Sequence, residues 1–136
     1  MGFLDKTINK TKASMSTSSN KLNESREVSK IESQIKEERN KVKENYELIG
    51  KEYYRFTVDG DESHKKNFDT YVEQINESRK LIEEYEKQIE EVRAAAKEER
   101  ENIKAQADAR HREIEAEEEA ARAEKQQQKK EQDDLF

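Results

Sequence analysis

Three groups of residues in this 136-residue chain have types and spacings that could do chemistry. Asp59, Asp61 and Ser63 alternate as oxygen ligands do at the start of a calcium loop. Such a loop next needs Gly at its sixth place and a bidentate Glu at its twelfth, where this chain has His64 and Thr70. The acids Asp59, Asp61 and Glu62 could also offer carboxylates to a catalytic magnesium from the tip of a hairpin. Their simpler role is to cap helix ends around a solvated turn. His64 and His111 lie far apart and are not expected to combine into a metal site. With no cysteine there is no thiol nucleophile, no disulfide and no usual structural zinc ligand. A Gly-rich phosphate loop and a His–carboxylate pair at useful spacing are both missing. The expectation is a non-enzyme with no catalytic, cofactor-binding or metal residues. The third group is Gln132-Asp133-Asp134-Leu135-Phe136. Adjacent Leu135 and Phe136 can anchor in an apolar pocket of a partner while the Gln132 amide fixes orientation.

The elements that must carry these groups follow from periodicity. Every seventh residue is apolar from Val28 through Ile35, Val42 and Ile49 to Phe56. The same holds from Phe68 through Ile75, Ile82, Ile89 and Ala96 to Ile103. Val58-Asp59-Gly60-Asp61-Glu62-Ser63 separates the two runs and holds the only obvious mid-chain helix breaker. Two such runs predict arms that zip together antiparallel, each about 45 Å long at 1.5 Å per residue. The first arm is expected to start between Ser19 and Glu27 and to lose its intermediate seam positions to Glu38, Asn45 and Glu52. Tyr46 and Tyr53 would take over beside them. The second seam reads Phe68, Val72, Ile75, Ile82, Tyr85, Ile89 and Val92. The best packing is expected at the turn, where Tyr53, Tyr54 and Phe56 would meet Phe68 and Tyr71. Gly50 suggests close approach of the opposite arm.

Flanking segments are less regular. Phe3, Leu4, Ile8 and Met15 share one helical face, with Lys6, Lys10 and Lys12 among polar neighbours. The expectation is a short helix that folds back or frays, with docking on a membrane surface or a partner as the alternative. Ser14 to Asn20 reads as a linker ending in helix caps. Beyond Val92 helix-favouring Ala, Glu, Lys and Arg continue, with thinning apolar positions at Ile103, Ala107, Ile114 and Ala121. That stretch reads as a solvated polar helix or a weak oligomer seam, fraying from about Gln126.

Composition agrees with an elongated helical protein. Only 30% of residues are hydrophobic, 44% are charged, and there is no proline. The net charge of −6 and the interleaving of basic with acidic residues argue against direct nucleic-acid binding. No membrane span or signal peptide is expected, so the location is expected to be cytoplasmic.

Residues Met1–Lys6, Val28–Ile35, Leu48–Tyr54 and Tyr85–Ile89 resemble a group of small bacterial helical-hairpin proteins that end in a zinc ribbon. The resemblance implies the hairpin. It implies nothing for the ribbon, because the polar helix from Ala94 onward replaces it and the paired Cys-x-x-Cys motifs are absent. The terminal peptide is similar to Gln-x-(Ser/Asp)-Leu-Phe segments through which bacterial proteins bind the replicative sliding clamp. In that reading Gln132, Leu135 and Phe136 are the partner-binding residues. The fold expected is all-α: an antiparallel coiled-coil helical hairpin with a long polar extension of the second helix. Its parts are an amphipathic segment and linker over 1–19, a hairpin over 20–103 with the turn near 58–63, and an extension over 104–136. The function expected is that of a coiled-coil interaction or spacer protein, self-associating or binding another protein, with clamp binding as the alternative.

Overall fold

The computed structural model describes residues 2–135 and contains two helices, α1 (Gly2–Asp59) and α2 (His64–Asp134), with no strand among the described residues. The protein is an all-α helical hairpin. Gly60 reverses the chain with φ of +66°, a left-handed conformation that side chains disfavour. Its amide closes α1 by donating to the Phe56 carbonyl at 2.9 Å. Asp61 Oδ1 accepts from the Ser63 amide at 2.9 Å and turns the chain into α2. The acids at the turn therefore include one whose bond is structural.

The contacts divide the chain into two units, Glu24–Ala95 and a second made of residues 1–23 with 96–136. Within Glu24–Ala95 the arms run antiparallel, with Phe56 beside Phe68, Tyr46 beside Arg79 and Arg39 beside Glu86. Val28, Ile31, Ile35 and Ile75 are buried, and so are Glu38, Asn45, Glu52 and Ser78. Spacings of three and four connect 28, 31, 35, 38, 42, 45, 49, 52 and 56, so the seam keeps one unbroken register along α1. Two expectations are corrected by this register. The polar residues stay in the seam, and Tyr46, Tyr53 and Tyr54 stand outside it, 51%, 63% and 69% exposed. The apolar core consequently lies toward Val28–Ile35, away from the turn, where Phe56 and Phe68 make an edge-on ring contact at 6.5 Å. On α2 Tyr71 is half-buried, whereas Val72, expected in the seam, is 46% exposed.

In the second unit, residues 2–23 of α1 run antiparallel to the 96–118 stretch of α2. Lys6 pairs with Glu115 and Glu118, Asn9 bonds to Ala107, and Asn20 bonds to Ala96. Ser14–Asn20 is helical, so the expected linker is absent and α1 starts at Gly2 rather than at 19–27. Proline and glycine are absent from that stretch, and the α2 segment supplies packing that short Ser/Thr-rich helices lack alone. The same pairing corrects the solvated-helix reading of the extension as far as Glu118, whereas residues 119–134 are exposed as that reading expects. Ile114 is 2% exposed, Ile103 and Ala107 are half-buried, and α2 continues to Asp134 without fraying at 126.

Gly50 has open space where a Cβ would sit, which removes the close-approach explanation. Gly50→Ala is expected to stabilise the protein by about 1 kcal/mol, since nothing offsets the helix cost of glycine. Gly60→Ala is expected to destabilise it by about 1–2 kcal/mol through the left-handed backbone. Ile35→Ala should cost roughly 2–4 kcal/mol. Thermal and urea melts followed by circular dichroism check all three.

Candidate interaction surfaces

The buried polar seam of Glu24–Ala95 is fully satisfied, and no buried side-chain nitrogen or oxygen among the described residues lacks a partner. Glu38 accepts from Ser78 across the seam and from Lys41 Nζ at 3.0 Å. Asn45 donates to the Lys41 carbonyl at 2.9 Å, a bond one helical turn back. Nearer the turn, Glu52 Oε2 lies 2.5 Å from His64 Nδ1, and Glu52 Oε1 pairs with Arg55 at 3.7 Å. Each polar group thus enters the seam with its own partner, as burial of a charge requires. The Ser78 hydrogen bond, followed by Lys41, holds the Glu38 carboxyl below its ordinary value of 4.5 against burial, which pushes it up.

The unit of residues 2–23 and 96–135 carries a second polar layer. Asn20 donates through Nδ2 to the Ala96 carbonyl at 3.2 Å and to Glu99 Oε2 at 3.0 Å. Its Oδ1 accepts from Arg100 Nη1 at 2.9 Å. Asn9 makes the same kind of reach, donating to the Ala107 carbonyl at 3.0 Å. These bonds fix the register of two helices whose facing residues are mostly small or polar. From the sequence Asn20 reads only as part of a capping linker, and Asn9 carries no role. Their signal was the three-and-four spacing of Asn9, Ala13, Thr17 and Asn20, which was masked by the apolar residues beside them.

What the seams exclude is as informative as what they contain. In Glu24–Ala95 the outward side of α1 carries Tyr53, Tyr54 and Val58, with Val58 63% exposed. Tyr46 stands at the seam's margin, its hydroxyl accepting from Arg79 Nη2 at 3.0 Å. Gly50 leaves a shallow groove beside Tyr54, bordered by Glu47, Lys51 and Arg55. A tyrosine and an arginine, Tyr54 and Arg55, beside a small depression are residue types that protein interfaces favour.

The residues read from the sequence as a partner-binding peptide fall at the end of α2. Gln132 is exposed within the helix, and its carbonyl accepts from the Leu135 amide at 3.3 Å. Leu135 lies just beyond the last helical residue and is 81% exposed. Phe136 lies outside the described residues. Among those residues no group of three or more His, Asp or Glu is placed to hold a metal ion. His64 meets Glu52, and His111 meets Glu115 at 3.1 Å in the other unit. Among the described residues no helix is long and apolar enough to cross a membrane.

No family model, curated protein or solved structure matches this chain.

The depressed Glu38 carboxyl makes part of the stability depend on pH. Unfolding returns it to its ordinary value, so its contribution is complete above about pH 4.5 and disappears as pH falls through the lower folded value. Urea titrations from about pH 7 to pH 3 should show this loss, and Glu38→Gln should flatten that part of the profile.

Proposed function

We propose that this chain is a non-enzymatic coiled-coil interaction or spacer protein of the bacterial cytoplasm, and that its hairpin presents tyrosines to a protein partner. The observation that carries the reading is the exposure of Tyr53, Tyr54 and Val58 while Glu38, Asn45 and Glu52 occupy the seam. Helical register keeps these side chains out of the seam, so their apolar surface is available to a partner, at roughly 1.5–3 kcal/mol for each large apolar side chain buried there. Tyr54 beside the groove at Gly50 fits a surface for contact. The likeness to bacterial zinc-ribbon hairpin proteins enters as a likeness of the hairpin alone. A second copy of the chain is one candidate partner, although of the residues that could form an oligomer seam Ile103 and Ala107 are half-buried and Ile114 is buried within one chain, which leaves Ala121 exposed.

A second reading has its own observation. Leu135 is 81% exposed at the end of a charged helix, with Gln132 three residues before it. The arrangement suits insertion of Leu135 and Phe136 into an apolar pocket such as that of the sliding clamp, with Gln132 as the orienting amide.

The two readings separate cleanly. A photo-crosslinking residue at Tyr54 should capture one protein species in cells. Tyr53→Ala with Tyr54→Ala should abolish its association with that species while shifting stability by no more than about 0.5 kcal/mol. Association that survives both substitutions, or no capture at all, removes the tyrosine surface from the account. For the terminal peptide, binding to purified sliding clamp should weaken roughly thirtyfold on Leu135→Ala. An unchanged affinity, or none to begin with, rejects clamp binding.

A further inference from the structure

We infer that the outward face of Gly2–Leu22 in α1 is a docking surface for an anionic lipid bilayer, on which this helix lies flat. Phe3, Leu4, Ile8, Met15 and Leu22 are 84%, 62%, 57%, 68% and 51% exposed. They recur at helical spacing on one side of α1, over about 29 Å at 1.5 Å per residue. The other side of the same helix, through Asn9, Ala13, Thr17 and Asn20, faces the α2 stretch 96–118. The amphipathic helix therefore turns its polar side toward its own chain and its oily side away. In a helix that existed only to pair with α2, the opposite orientation would bury more apolar area.

Charge indicates what covers that oily face. Gly2–Asn23 contains four lysines and a single acid, Asp5, in a chain whose net charge is −6. Lys6 is taken up by Glu115 and Glu118 at 3.6 and 3.4 Å. Lys10, Lys12 and Lys21 are exposed, and no carboxylate of the described residues lies within ion-pair distance of them. By helical period Lys10 and Lys21 fall along one margin of the apolar stripe and Lys12 along the other. Between them stand Thr7, Thr11, Ser14 and Ser18, which are small, uncharged and at home among headgroups.

An apolar stripe bordered by unpaired cations is the pattern of a helix in the plane of a membrane interface, with side chains in the acyl boundary and lysines at the phosphates. A second copy fits less well. Self-pairing on this face would set the same unpaired lysines against each other, with no acid on the stripe to receive them.

Co-sedimentation of the full chain with vesicles tests the assignment. Binding is expected to vesicles of phosphatidylcholine with about one third phosphatidylglycerol and to be weak on phosphatidylcholine alone. Removing Lys10, Lys12 and Lys21 together as glutamines should weaken binding by about a hundredfold, roughly fivefold for each lysine, and reduce its salt dependence. Ile8→Asp with Met15→Asp should lower binding at least tenfold. Both sets lie on exposed side chains, so circular dichroism melts should stay close to those of the unaltered chain. Equal binding to neutral and anionic vesicles, or none to either, overturns the proposal. So does light scattering that shows a dimer dissociated by Ile8→Asp with Met15→Asp in a chain that ignores vesicles.

Discussion

Helical register is the constraint on which this structure depends. Once Val28, Ile31 and Ile35 are buried, residues at further steps of three and four must follow them into the seam whatever their polarity. Glu38, Asn45 and Glu52 therefore enter, and Ser78 enters from the facing arm. Taking in Tyr46 or Tyr53 instead would require the helix to rotate by about half a residue step, which would turn Ile31 outward. The chain keeps register and meets the cost of buried polarity locally. Ser78 and Lys41 serve Glu38, a backbone carbonyl serves Asn45, and His64 with Arg55 serves Glu52. A seam of this kind gives up hydrophobic stabilisation and gains a defined alignment where the partner lies on the facing arm, as Ser78 does for Glu38 and His64 for Glu52.

The unit formed by residues 2–23 with 96–135 carries the same principle further. Its largest fully buried side chain is Ile114, and much of its alignment comes from asparagines reaching backbone carbonyls across the pair. Such a pair has modest intrinsic stability, and it leaves five large apolar residues of α1 in solvent. Polarity directed inward and apolar surface directed outward is costly for an isolated helix pair. It becomes economical when a low-dielectric surface receives the outward side.

Particular residues separate what could be read early from what could not. The heptads of Val28–Phe56 and Phe68–Ile103 and the break at Gly60 made the hairpin legible, because period and a left-handed turn residue are local properties. Tyr53 and Tyr54 lie outside the seam although their hydrophobicity favours burial, because strict spacing places Glu52 and Phe56 there instead. Ser14–Asn20 was misplaced because hydroxyl residues favour turns in isolation, and the neighbouring α2 segment that holds them helical is remote in sequence. The partner role of Asn20 depends on Ala96, Glu99 and Arg100, some eighty residues away.

The sequence alone determined that the chain is helical, that it reverses at Gly60, and which residues repeat every seven. These follow from backbone preference and side-chain period, which act within a few residues. Tertiary structure decided which polar residues are buried and with what partners, that the first twenty residues join the later part of α2, and which oily residues remain in water. Those outcomes depend on long-range pairing. One amphipathic pattern can be satisfied by either face until a second helix takes its place.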